Sequence, residues 1–209
     1  MNRKKKFALV LFSIIVLVVG FCALNQDRPK LTFKPNASFF EKLADSALVL
    51  TWINVRYDPA YRVIPYPNGD VAPNRGVCSD VVIRAYRKMG IDLQKEVHED
   101  MKSNFSLYPN NWGLRKPDKN IDHRRVPNLM TFFSRKGQKL PNSQIAADYK
   151  AGDIVCWNLG GGTTHIGIVS SNYNSSKTRY QIVHNIGWGQ VLEDCLFSYK
   201  IIGHYRYEK

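Results

Sequence analysis

Acidic side chains, cysteines and repeated tracts are scarce in this sequence, and each scarcity narrows what the chain can be. Only 17 Asp and Glu stand against 30 Lys and Arg, a formal net charge of +13. The 4 cysteines lack the paired spacing that structural zinc sites need. There are no internal repeats and no low-complexity tracts. The basic excess comes without finger spacing, an aromatic RNA-binding motif or a heptad-linked basic region, so nucleic acid is not an expected partner. In "HEDMK", Lys102 stands where a zinc-protease helix would carry its second histidine. His98, Glu99, His123, His165 and His184 therefore match no zinc-protease pattern, and neither a metal nor an organic cofactor is expected.

Apolar residues are plentiful. They make up 44% of the 209 residues, enough for one core, which excludes disorder over most of the length. The chain opens with "MNRKKK" and then "FALVLFSIIVLVVGFCAL", a basic flank before an apolar run just long enough to cross a bilayer. The flanking charges should stay in the cytoplasm and the remainder should be exported. Residues 1–24 thus read as a membrane anchor or signal segment, with 7–24 held in the cytoplasmic membrane. Phe21 before Cys22 suits neither lipoprotein nor small-x-small cleavage, which favours the anchor. Residues 25–36 read as a linker and 37–209 as the functional domain, on the periplasmic or cell-surface side. From residue 25 onward 26 basic side chains face 17 acidic ones. That balance suits an anionic wall polymer or a lipid surface, or simply a solvated basic face.

Within 37–209 helical signals come first. Ser38-x-x-Glu41 is a capping box before an apolar stripe of Phe39, Phe40, Leu43, Ala47 and Leu48. Val81, Val82, Ala85, Tyr86 and Met89 recur at helical spacing up to Gly90. Leu93, Val97 and Met101 predict a further short helix, and a polar loop is expected to about residue 124. "RVPNLMTFFSRKG" carries Pro127 in a first turn and Gly137 past a last one. After residue 150, "GDIVCWN", "THIGIVSS", "RYQIVHN" and "YKIIGHYRY" read as strands. Helices followed by strands predict an α+β fold, its N-terminal helices packed on an antiparallel sheet. Cys156 and Cys195 are open between a disulfide and two buried free thiols.

One cysteine stands apart. Cys78 falls in the first turn of a predicted helix, where unpaired amides and the helix dipole favour a thiolate. A nucleophilic thiol needs a base and a group to orient that base. His165 starts a strand and shares a face with Gly167, whose missing side chain leaves room for a helix end. His184 shares a face with Tyr180 and Ile182 on the next strand, where it would fix the His165 tautomer. Its neighbour Asn185 points to the opposite face. Asp80 reads either as helix stabilisation or as a carboxylate that holds a substrate amine. Asp122, His123, Arg124 and Arg125 read either as a solvated loop or as carboxylate binders, since arginine pairs with carboxylates bidentately.

These residues carry a resemblance. The order of helix cysteine, strand histidine and next-strand polar residue matches papain-like cysteine hydrolases. "YPNGDVAPNRGVCSDVVIRAYRKMGI" resembles the nucleophile region of NlpC-type cell-wall peptidases, and "HIGIVSSN" and "YQIVHNIG" resemble their histidine strand and the strand after it. More closely, residues 50 to 207 resemble the bacterial domain of unknown function 1287, through "IPYPNGDV", "RGVCSDVVIRAYR", "VHEDM", "NIDHRRVPNL", "HIGIVS" and "GHYRY". The NlpC resemblance implies a papain-like fold with Cys78 as nucleophile, His165 as base and His184 as orienting residue. It also implies Tyr66 beside the oxyanion and an amide of peptidoglycan stem peptides as substrate, whereas papain-like enzymes of the plant and lysosomal type use an asparagine as orienter, which Asn185 with Trp188 nearby resembles. Asp80, where the NlpC-type enzymes usually have glycine, and the long insert before the strands depart from their pattern. An acyltransferase with the same cysteine and histidine, or a wall-binding module that does not cut, are the competing expectations.

Overall fold

A computed structural model describes residues 31–209. The expected membrane segment, and the linker up to residue 30, lie outside the described residues. Among the described residues no helix is long and apolar enough to cross a membrane. Residues 33–209 pack as one unit. It is a mixed α+β body of four α-helices and eight strands: α1 (Phe39–Leu48), β1 (Arg56–Tyr57), β2 (Arg75–Gly76), α2 (Cys78–Lys88), α3 (Leu93–Asn104), α4 (Val126–Lys136), β3 (Gln138–Lys139), β4 (Ile154–Asn158), β5 (Thr164–Tyr173), β6 (Tyr180–His184), β7 (Val191–Glu193) and β8 (Lys200–Arg206).

The capping box forms as the sequence predicts. Ser38 Oγ accepts the Glu41 amide at 3.3 Å, and the Glu41 carboxylate accepts the Ser38 amide at 2.8 Å. Six strands form one sheet in the order β3-β8-β4-β5-β6-β7, with every neighbouring pair antiparallel. Alternation along these strands divides the core in two. Ile154, Cys156, Ile166 and Ile168 point to the helices, where Leu43, Val81, Tyr86 and Phe133 meet them. Val155, Trp157, Val169 and Ile182 point to the other face, under Tyr149 and Leu196. The other two strands, β1 and β2, pair in parallel apart from the main sheet.

The sheet also answers the cysteine question. Cys156 and Cys195 are free and belong to the clusters on opposite faces of the sheet, so no disulfide joins them. The stretch expected as a polar loop is partly built. After α3 and a 3-10 turn, the chain returns in a second 3-10 turn, Asp122–Arg124, whose three residues are all buried.

Candidate active site

The CSD tripeptide at the start of α2 is tied down by its second and third residues. Val77 precedes the helix in an extended conformation and has no capping side chain. The Asp80 carboxylate accepts the Val77 amide at 2.7 Å and so satisfies a donor just ahead of the helix start. It also takes the fork of Arg124, Nε on Oδ1 and Nη2 on Oδ2, both at 2.9 Å. The two side chains are only 3% and 2% exposed. Burial opposes the Arg124 charge, but Asp80 outweighs it and holds the guanidinium more firmly protonated than usual. Ser79 Oγ completes the clamp by donating to the Arg124 carbonyl at 2.7 Å.

Of the two readings of Asp80, this geometry favours helix stabilisation over a substrate amine, and Arg124 is neither a solvated loop residue nor free to bind a substrate carboxylate. Each instead neutralises the other inside the protein. The insert is thereby pinned to the helix that carries Cys78.

Arg125 remains beside the cavity. Its guanidinium stacks on the Trp112 ring, 4.1 Å from the centroid, and makes one bond to Asp122 at 3.1 Å. Both Arg125 and Trp112 line a cavity of about 570 Å³, together with Cys78, Tyr57, Tyr61 and Thr164. Tyr66 does not line it. Its ring packs on His98 with centroids 5.1 Å apart, while Lys119 lies over it. The tyrosine beside the thiol is Tyr57, in register with Gly76 across the β1–β2 pair. Its hydroxyl is harder to ionise than usual, first through burial and then through Cys78 and Asp80. Trp188, expected near the site, is 91% exposed and does not line this cavity.

Cys78 is 6% exposed and reaches solvent through that cavity. Burial pushes its thiol up to about 11, against the opposing pull of the Ile166, Ser79 and Cys78 amides. Burial thus works against the ready thiolate expected at neutral pH, since desolvation opposes what a helix start supplies. The Ile166 amide, next to His165 on β5, is the largest of these opposing pulls.

From His165 a line of hydrogen bonds runs away from the cysteine. His165 Nε2 lies 2.9 Å from His184 Nδ1, and His184 Nε2 lies 2.9 Å from the Glu193 carboxylate. Burial, and then His184, pushes His165 down to about 3. Burial also lowers His184, although Glu193 pulls the other way. Both rings are neutral at pH 7, and the tautomers follow from Glu193. A carboxylate only accepts, so His184 carries its proton on Nε2 and accepts at Nδ1. His165 then donates from Nε2, which leaves its Nδ1 a bare lone pair.

Gly167 belongs to this line for a reason other than the one expected. A Cβ there would stand 2.8 Å from Ile182 Cγ2, 2.9 Å from the Val183 carbonyl and 3.1 Å from His184 Cβ. The missing side chain makes room for β6 and His184, not for a helix end. Asn185 lies elsewhere, its Nδ2 donating to the Gly76 carbonyl at 3.3 Å.

Two members of the site escaped sequence reasoning. Tyr57 sits on a two-residue parallel strand that carries no periodic signal. Glu193 was legible in principle: β7 pairs with β6 so that Glu193 faces Ile182, and alternation puts Ile182 and His184 on one face.

Comparison with known proteins places these residues in a wider set. The family model described as a domain of unknown function (DUF1287) matches residues 44–207. The chain is also 46% identical over 202 residues to the uncharacterized protein YijF of Escherichia coli (strain K12), covering 97% of this chain and 98% of that one.

Proposed function

Because the chain belongs to the DUF1287 family, we propose for this member an exported cysteine hydrolase that cleaves an amide through a thioester, on a papain-like fold of the NlpC type. One observation carries this reading. The Cys78 thiol lines a cavity together with Thr164, the residue before His165, and His165 is oriented through His184 by Glu193. That is the nucleophile, base and orienter logic of covalent catalysis with one further carboxylate.

The resting pair is a neutral thiol and a neutral imidazole. As Sγ attacks the amide carbonyl, its proton passes to the bare Nδ1 of His165. The charge that develops on the ring is stabilised through His184 by Glu193. The tetrahedral oxyanion is met by the Cys78 backbone amide and the Tyr57 hydroxyl, which takes the role the resemblance gave to Tyr66. The C–N bond then breaks and His165 returns its proton to the leaving amine. Water, deprotonated by His165, cleaves the thioester to a carboxylic acid and frees the thiol.

The substrate class is cell-wall peptide. Beside the neutralised Arg124, the cavity carries Arg125, two tyrosines and Trp112, and among the described residues no acid lines it. A substrate rich in carboxylates, such as a peptidoglycan stem peptide, suits those walls. The basic body and the apolar segment at 7–24 agree with an anchored enzyme that works outside the cytoplasmic membrane. Purified peptidoglycan incubated with the protein, its products resolved by mass, tests the reading. Turnover should fall most for Cys78→Ala, then His165→Ala, then His184→Ala. Loss of the general base alone should cost about 10²–10⁴ in rate. Products that form equally well with Cys78→Ala would end the proposal.

A further inference from the structure

The end of the β6–β7 hairpin holds a third kind of donor beside the imidazole and the carboxylate. Cys195 Sγ lies 3.5 Å from His184 Nε2, which is itself 2.9 Å from the Glu193 carboxylate. The three donor atoms all lie within 4.8 Å of one another. Sequence reasoning found no metal spacing because these donors come from a strand end, a neighbouring strand and the turn after it.

We propose that His184, Glu193 and Cys195 form a binding site for a divalent cation of the zinc class, and that its occupancy switches the cysteine site off. The second half rests on the hydrolase reading. One imidazole, one carboxylate and one thiolate make a borderline-soft set that favours zinc over magnesium or calcium. Zinc bonds of about 2.0–2.3 Å set neighbouring tetrahedral ligands about 3.4 Å apart, so the His184–Cys195 pair at 3.5 Å already has that spacing and the His184–Glu193 pair need open only from 2.9 Å. Access exists as well. His184 is 1% exposed at its side chain but Glu193 is 49% exposed, so the cation enters on the carboxylate side. Water fills the fourth position. On the far side, the His184 ring is already fixed by a partner at its other nitrogen, as metal-bound histidines are.

The switch follows from proton positions. Without metal, His184 carries its proton on Nε2 and His165 leaves Nδ1 bare. A cation takes the His184 Nε2 lone pair, so the His184 proton must sit on Nδ1 and be donated to His165 Nε2. The His165 proton then moves to Nδ1, the atom that would otherwise accept the proton of Cys78. The two imidazoles keep two protons between them, and the single proton released to solvent comes from the Cys195 thiol. A base already protonated at its working nitrogen cannot act.

Titration of the full-length Cys78→Ala protein with zinc chloride tests the site without the competing active-site thiol. One equivalent should bind. Adding Cys195→Ser should weaken that binding by more than about 100-fold, beyond what loss of an outer-shell partner costs. Glu193→Gln, at a half-exposed position, should weaken it too. Equal affinity in all three proteins would overturn the site. Imidazole ¹⁵N shifts read the switch directly: zinc should move the His165 proton from Nε2 to Nδ1, and an unmoved proton would overturn the coupling. Zinc should also stop turnover by the Cys78 enzyme but not by its Cys195→Ser variant. If binding and proton shift occur while no amide is ever cleaved, the hydrolase reading fails and the metal site stands.

Discussion

Asp80→Asn should unfold this protein far more readily than any role in substrate binding would allow. The carboxylate is 3% exposed and its Arg124 partner 2% exposed, joined by two bonds of 2.9 Å. Asparagine keeps the size and can still accept the Val77 amide, but it leaves the guanidinium without its counter-charge. Arg124 retains only long contacts of 3.5 Å and 3.4 Å to the Ala60 and Asp58 carbonyls. Breaking one partner of such a buried pair costs about 3–5 kcal/mol. For a chain of this size that is a drop of roughly 6–20 °C in Tm. Screening by solvent does little to reduce the figure, because neither side chain meets solvent appreciably. The control is Glu99→Gln, which removes an exposed pair with Lys95 at 3.9 Å and should cost at most about 0.5 kcal/mol. Urea denaturation of the two variants beside the parent reads the difference. If Asp80→Asn proves as stable as Glu99→Gln and only substrate use suffers, the clamp argument is wrong and Asp80 faces the substrate.

Further perturbations probe other parts of the structure. Gly167→Ala should destabilise by about 1–3 kcal/mol through overpacking against β6 and slow turnover by displacing His184; unchanged Tm and turnover would show that this strand spacing tolerates a methyl group. Iodoacetamide should label Cys78 slowly at neutral pH and faster with each pH unit toward about 11, while Cys156, wholly buried, stays unlabelled. A Cys78 titration midpoint near pH 7 would mean that the helix start outweighs burial. Asp100 should lend acid resistance. Burial raises its pKa, but bonds from Arg135, Tyr108 and Lys136 overcome that and hold it at about 2, below the ordinary 3.8. Its stabilisation, about 2 kcal/mol for such a shift, is full above pH 4 and is lost as pH falls toward 2. Asp100→Asn should remove that part of the acid slope, and an identical pH profile for the variant would refute the assignment.

The regular elements were written in local pattern. Ser38 and Glu41 mark the start of α1, the stripe from Val81 to Met89 shows α2, and the alternating runs after residue 150 give β4, β5, β6 and β8. The short pieces were not. β1, β2, β3 and β7 span two or three residues each, too few for a period to register, and their pairing is set by distant partners. The same divide runs through the site. His165 and His184 are placed on adjacent strands by alternation, and the hydrogen bond between them follows from that register. Tyr57 reaches the cavity only because β1 pairs with β2, and Tyr66 was named by the NlpC resemblance alone. Asp80 and Arg124 lie 44 positions apart, and each alone reads as a free charge. Only the folded chain shows that they neutralise each other.

The most direct test of the central claim is a covalent one. Acid quench of the full-length protein during reaction with peptidoglycan fragments, followed by digestion and mass analysis, should find an acyl adduct on the peptide that holds Cys78. The adduct should disappear with hydroxylamine, as a thioester does, and should be absent in Cys78→Ala. Fragments cleaved at full rate with no adduct at Cys78, or an adduct carried by another residue, would contradict the account.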